Sequence, residues 1–208
     1  MDKVKAESPE RLRPGEHRVL LRTLSLVLLF LVSGFVLAAV TRRLNFDEAL
    51  ALRSGWLLVE GTPGAPPFYM PTTLLLGVLG SLVEDPGTVF LIGRLTAASS
   101  VCLALFWSLR TMREPVAALM AAVLVFSQAT FVVHGLEFRY DWAIMIGLLV
   151  AYGLLVRAGR FDFFWLGVCV SWLATHHLKG LYFALVVYLL ATLTAASAIL
   201  RKRSMRWD

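Results

Sequence analysis

Apolar stretches of about 18 to 22 residues recur along this chain, each long enough as a helix to cross a hydrocarbon core about 30 Å thick. Of its 208 residues, 58% are hydrophobic and 16% are charged, against about 25% charged in an ordinary soluble domain. The mean hydropathy is +0.73. Together these features describe an all-α, polytopic membrane protein. A first span preceded by a basic tail is expected to serve as its own uncleaved insertion signal.

Six spans are expected, over 19–40, 88–109, 116–134, 142–157, 162–178 and 181–200. Basic residues sort the ends of these spans. Lys3, Lys5, Arg11, Arg13, Arg18 and Arg22 lie in the tail and at the start of the first span. Arg110 and Arg113 join spans two and three, Arg157 and Arg160 join spans four and five, and Arg201, Lys202, Arg203 and Arg206 end the chain. An excess of Lys and Arg marks cytoplasmic loops, so both termini are expected to be cytoplasmic. The chain then divides into a basic tail over 1–18, a membrane module over 19–200 and a second basic tail over 201–208. The net charge of +6 fits cytoplasmic loop bias and contact with anionic headgroups, and nothing resembles a nucleic-acid module. Cys102 and Cys169 lie inside apolar runs, where free cysteine behaves as a small apolar residue.

The stretch "TTLLLGVLGSLV", 72–83, makes a helix of only about 18 Å, too short to span. It is therefore expected to lie in the outer interface, which turns 41–87 into one long outer loop. Gly61, Pro63, Gly64, Pro66, Pro67 and Pro71 punctuate that loop. Loops of this length with short helices of their own are more often functional than mere connections.

With this orientation, charged groups from four places converge on the outer face. They are Asp47 and Glu48 in "LNFDEALAL", Glu137, Arg139 and Asp141 in "HGLEFRYDW", His176 and Lys179 in "THHLKG", and Arg94 inside span two. Ionisable groups at membrane depth are costly and usually face a cavity or a partner. Each also has an ordinary reading. The acidic pair can open a helix at its positive dipole end, Arg139 can pair with a neighbouring acid, and Lys179 can snorkel to headgroups. His176 and His177 point about 100° apart on a helix, which argues against a shared metal site.

The order "FDEALAL…APPFYMPTTLLLGVLG…GRLTAASS…LEFRYDWAIM…LATHHLKGLY" resembles the N-terminal membrane module of GT-C glycosyltransferases, in particular the protein O-mannosyltransferase and aminoarabinose-transferase-like group. The likeness covers about residues 19 to 190. It implies an enzyme of the outer (periplasmic) face of a bacterial inner membrane that moves a sugar from a polyprenyl-phosphate carrier to an acceptor. It implies catalytic roles for Asp47 and Glu48, with Asp47 as general base, and substrate contacts for Arg94, Glu137, Arg139, Asp141, His176 and Lys179. Pro66, Pro67 and the run after Pro71 match the family's "PP" and interfacial helix. Some members use a divalent metal, and Mg²⁺ or Mn²⁺ would draw on Asp47, Glu48, Glu137 and Asp141 as oxygen ligands. Family members usually continue through more spans. The chain is accordingly expected to be an N-terminal half or a minimal relative, with a second subunit able to supply the missing spans. The alternative is a non-catalytic GT-C-like membrane subunit that binds polyprenyl lipid or a partner protein. A transporter fits less well, because the charges gather at one face.

This topology makes a direct prediction. A cysteine introduced at Thr62 should react with a membrane-impermeant thiol reagent added outside intact cells, and one at Thr111 should not; the reverse pattern would overturn the orientation.

Overall fold

The computed structural model describes residues 14–43, 46–62, 71–83, 85–136, 140–159 and 161–204. Among the described residues every regular element is a helix: α1 (Pro14–Thr41), α2 (Phe46–Val59), α3 (Pro71–Leu82), α4 (Pro86–Leu109), α5 (Pro115–Ser127), α6 (Ala129–Leu136), α7 (Tyr140–Arg157), α8 (Asp162–His176) and α9 (Leu178–Ser204). Four of these, α1, α4, α7 and α9, are long and apolar enough to cross a membrane. The expected span over 116–134 is instead two helices. The ladder breaks at Gln128, whose backbone is extended and whose N–H turns back to the Val125 carbonyl. The expected fifth span corresponds to α8, which has 15 residues. Pro66 and Pro67 lie outside the described residues.

Local chemistry sets the boundaries. Proline opens α1, α3, α4 and α5, where its missing N–H costs nothing and its fixed φ suits a first turn. Asp85 caps α4, accepting from the Gly87 and Thr88 amides at 3.3 and 2.8 Å and from the Thr88 hydroxyl at 2.6 Å. The Thr88 hydroxyl, together with the two amides, holds the Asp85 carboxyl below the usual carboxylate range. Between α7 and α8, Ala158 adopts a left-handed φ of 48°. The next amide, on Gly159, donates to the buried Asp162 carboxylate, which also receives Arg157.

Three apolar clusters hold the helices together. In the first, Phe35 of α1, Phe126 of α5 and Phe131 of α6 form an aromatic trio with centroids 5.3 to 6.1 Å apart. In the second, Leu52, Leu76, Val101 and Trp142 join α2, α3, α4 and α7. The third packs α7, α8 and α9 around Ile144, Leu166 and Leu173. By contrast, α1 and α9 turn large apolar side chains outward, with Phe30 77% and Tyr188 64% exposed. Lipid tails are as apolar as leucine, so such faces carry no penalty in a bilayer.

Backbone polar groups are also bridged between helices. The Ser108 hydroxyl bonds the Leu149 carbonyl, and the Trp172 indole N–H donates to the Ala143 carbonyl at 2.8 Å. Helices α4 and α7 are thus held together by a shared apolar cluster, which includes Val101 and Trp142, and by the bond from Ser108 to Leu149.

Helices α2 and α3, of 14 and 12 residues, are too short to cross a bilayer and pack on each other as a hairpin. They meet at Gly55 and Gly77, so closely that a Cβ on either would enter the backbone of the other helix. Replacing Gly77 by Ala should therefore separate the hairpin and lower the thermal midpoint in detergent, at a cost of about 1–3 kcal/mol. Gly34→Ala, in open space on α1, should leave the midpoint unchanged or raise it. Equal midpoints for the two variants would mean that the close crossing is not required.

Candidate functional site

Two groups of polar side chains form where the sequence places its charged residues. The first is a buried ion pair. Arg94 of α4 reaches Glu48 of α2 with two bonds, Nε to Oε1 at 3.0 Å and Nη2 to Oε2 at 2.5 Å. Their side chains are 6% and 0% exposed. Two further N–H groups of the same guanidinium go to the Arg42 and Arg43 carbonyls, at 2.5 and 3.1 Å. These carbonyls follow the end of α1, where a helix leaves backbone acceptors without an internal partner. One planar cation thus fastens the end of α1, the start of α2 and the wall of α4. Arg42 in turn donates to the Val133 carbonyl of α6 at 3.0 Å.

Asp47 is the neighbour of Glu48 in the first turn of α2, yet its environment is the opposite. Successive residues on a helix point about 100° apart. With Glu48 buried against Arg94, Asp47 is on the exposed side. The sequence offers the two carboxylates as a pair; the fold gives one to a structural bond and presents the other outward.

The second group lies where α6, α7 and α9 come together. Asp141, in the first turn of α7, has one carboxylate oxygen 3.9 Å from Lys179 Nζ of α9 and the other 3.9 Å from His134 Nδ1 of α6. Asp141 is largely covered, while Lys179 is 58% exposed. The Lys179 ammonium also stands 5.6 Å from the Tyr140 ring centre, within cation–π range. Tyr140 stacks on His177 at 4.1 Å and 8°, and the Lys179 amide donates to His177 Nδ1 at 3.1 Å.

This arrangement depends on a one-residue joint. His177 takes an extended backbone between α8 and α9, so the chain reverses within a single position and Lys179 falls in the first turn of α9. The helices then cross so closely that a Cβ on Gly180 would meet the Leu173 carbonyl. His176 faces the other way, fully buried, with its ring 4.1 Å from that of Trp172. Its Nδ1 bonds the Trp172 carbonyl at 2.6 Å. A carbonyl only accepts, so Nδ1 carries the proton, and Nε2 is buried without a partner among the described residues.

Below Asp141 and Lys179 opens a cavity of about 380 Å³. His134, Asp141 and Lys179 line its polar side, and Phe131, Met145, Leu148 and Phe183 its apolar side. Seven helical residues separate Asp141 from Leu148, which makes the cavity about 10 Å deep along α7. Gln128, at the break between α5 and α6, also lines it.

The structure therefore joins Glu48 to Arg94 and Asp141 to Lys179, and turns His176 onto Trp172. Glu137 and Arg139 lie outside the described residues. His134 and Gln128 are lining residues that the sequence does not announce. The only available signal was a histidine and a glutamine inside an otherwise apolar run, without a motif to single them out. Among the described residues, no three His, Cys, Asp or Glu side chains converge as metal ligands would.

No family model, curated protein or solved structure matches this chain.

The ion pair predicts its own mutational signature. Arg94→Met leaves the Glu48 charge buried without its bidentate partner and should destabilise the protein by about 3–5 kcal/mol. The double variant Glu48→Leu/Arg94→Met should recover most of that loss, because no charge remains to be desolvated. Unfolding in detergent measures both; a double variant no more stable than Arg94→Met would remove the pair from its central role.

Proposed function

We propose that this chain is a membrane glycosyltransferase, or the N-terminal half of one, that takes its sugar from a polyprenyl-phosphate carrier. In this reading α5 and α6 form one interrupted crossing and α8 a short one, which makes six. Helices α2 and α3 lie in the outer interface, and both termini are in the cytoplasm of a bacterial cell.

The observation that carries the proposal is the cavity beneath Asp141 and Lys179. Its polar side and apolar depth suit an amphiphile whose phosphate rests at headgroup level and whose hydrocarbon tail runs into the bilayer. Trp142 and Ala143, which follow Asp141 on α7, belong to the same buried cluster as Phe90 and Ala97, which flank Arg94 on α4. Both polar groups then belong to one face.

In the reaction, an acceptor oxygen attacks the anomeric carbon and the bond from that carbon to the carrier phosphate breaks. The bonding pair leaves with the phosphate, and the acceptor proton passes to a carboxylate. Asp47 is the carboxylate for that proton, since Glu48 is held by Arg94. Lys179 and Arg139 are the cations for the leaving phosphate, where fixed positive charge lowers the barrier most. Arg94 is then a positioning residue, which sets α2 and with it Asp47. An Mg²⁺ or Mn²⁺ ion at this face would draw on Asp47 or Asp141 rather than Glu48, and would offset phosphate charge.

A second reading has an observation of its own. Half of the acidic pair serves as a structural bond, as it would in a subunit that keeps the fold and binds polyprenyl lipid without catalysis. Reconstitution with radiolabelled polyprenyl-phosphate sugars separates the two. Asp47→Asn should reduce transfer about 10²- to 10⁴-fold, the usual contribution of a positioned base, with carrier binding retained. Equal turnover by wild type and Asp47→Asn would sink the catalytic role of Asp47. Carrier binding with no transfer by either protein, even with a second subunit supplied, would favour the non-catalytic reading.

A further inference from the structure

A second cavity, of about 350 Å³, lies at the opposite ends of the helices, between α1, α4 and α5. Its walls are apolar, with Leu28, Phe106, Leu109 and Leu119 among them, while Arg110 and Arg113 complete the lining. The turn that carries the two arginines is closed by backbone bonds. The amides of Arg110, Thr111 and Met112 donate to the Phe106, Ser108 and Leu109 carbonyls, and Pro115 starts α5 directly afterwards. Both guanidiniums are exposed, and among the described residues neither takes part in an ion pair. Glu114, between them and α5, makes no side-chain cap bond and leaves the turn with a net positive charge.

Depth along α4 fixes where this cavity sits. Arg94 meets the carbonyls just past the end of α1, and Arg110 lies sixteen residues further along α4. At about 1.5 Å per residue that is about 24 Å, close to the full apolar thickness. Arg110 and Arg113 thus stand at the bilayer surface, with the apolar slot running inward from them toward Leu28. A slot of this volume falls within the usual range for small-ligand pockets, roughly 300–1,000 Å³.

We infer that this cavity is a site for one anionic glycerophospholipid of the adjoining leaflet, with its phosphate on Arg110 and Arg113 and an acyl chain in the slot. Charge selects the occupant. Two unpaired guanidiniums above an apolar cleft match a lipid with net negative charge, and a zwitterionic lipid brings its own cation to the same place. Basic pockets between membrane helices hold anionic headgroups for this reason. The site is independent of the transfer reaction, and it would stand if that reading failed.

The test uses the full chain in nanodiscs that contain phosphatidylglycerol or phosphatidylcholine, each with a diazirine on one acyl chain. After photolysis, mass spectrometry reads the adducts on peptides that hold Leu28, Phe106 and Leu119. Phosphatidylglycerol should label these peptides about five- to thirtyfold more than phosphatidylcholine, the preference expected of one to two basic groups at a membrane surface. Arg110→Gln/Arg113→Gln should remove most of that preference at these peptides, while labelling along α9 stays unchanged as an internal control of folding. Raising the salt to about 1 M, where the Debye length is about 3 Å, should reduce the preference in the wild type alone. Equal labelling by the two lipids in the wild type, or a preference that persists in the double variant, would overturn the site.

Discussion

The fold depends on one desolvated cation. Arg94 sits within the helical bundle with 5% of its surface exposed, where an unpaired charge would cost several kcal/mol. That cost is offset because the guanidinium's planar fork meets four acceptors, two on Glu48 and two on the backbone beyond α1. Lysine could not match this geometry, since its ammonium is a point charge without a fixed fork. The pair also determines the path of the chain. With α1 and α2 both tied to α4, the α2–α3 hairpin is fixed against the second apolar cluster, and Asp47 follows it.

Much of the helical framework was legible in the sequence because membrane burial writes itself into long apolar runs. The ends of α4, at Pro86 and Leu109, fall within two residues of the expected 88–109 span. The 72–83 stretch is a short helix, as its length demands. What the hydropathy pattern could not register was the break at Gln128, since one glutamine hardly lowers the hydropathy of the run around it. The pairing of Glu48 with Arg94 was equally hidden. It joins residues 46 apart in sequence, and the family resemblance implies catalysis for Glu48 and a substrate contact for Arg94 instead. His134 is hidden for a related reason: its value lies in facing Asp141 of α7 from α6, which a linear reading does not display.

Packing follows the logic of helices in lipid. The outer faces of α1 and α9 are apolar and unoccupied by protein, so association must come from close contact and buried polar bonds rather than from exclusion of water. Gly55 with Gly77, and Gly180 with the Leu173 carbonyl, bring backbones together. Ser108 and Trp172 add hydrogen bonds from side chain to backbone across helices. These contacts leave two cavities between the helices, one under Asp141 and Lys179 and one beside Arg110 and Arg113.

The interruption at Gln128 has a mechanical side. A continuous helix transmits displacement along its whole length, because each turn is bonded to the next. Here the amide of Gln128 bonds back to Val125, and its carbonyl accepts from Val132, so the two ladders meet at one extended residue rather than overlapping. The aromatic trio anchors both halves near this joint. His134 on α6 and the residues of α5 packed on α1 thus belong to separate ladders that share a single residue. Part of the lining of the cavity under Asp141 and the basic turn at Arg110 and Arg113 are therefore carried on opposite sides of one break in the ladder.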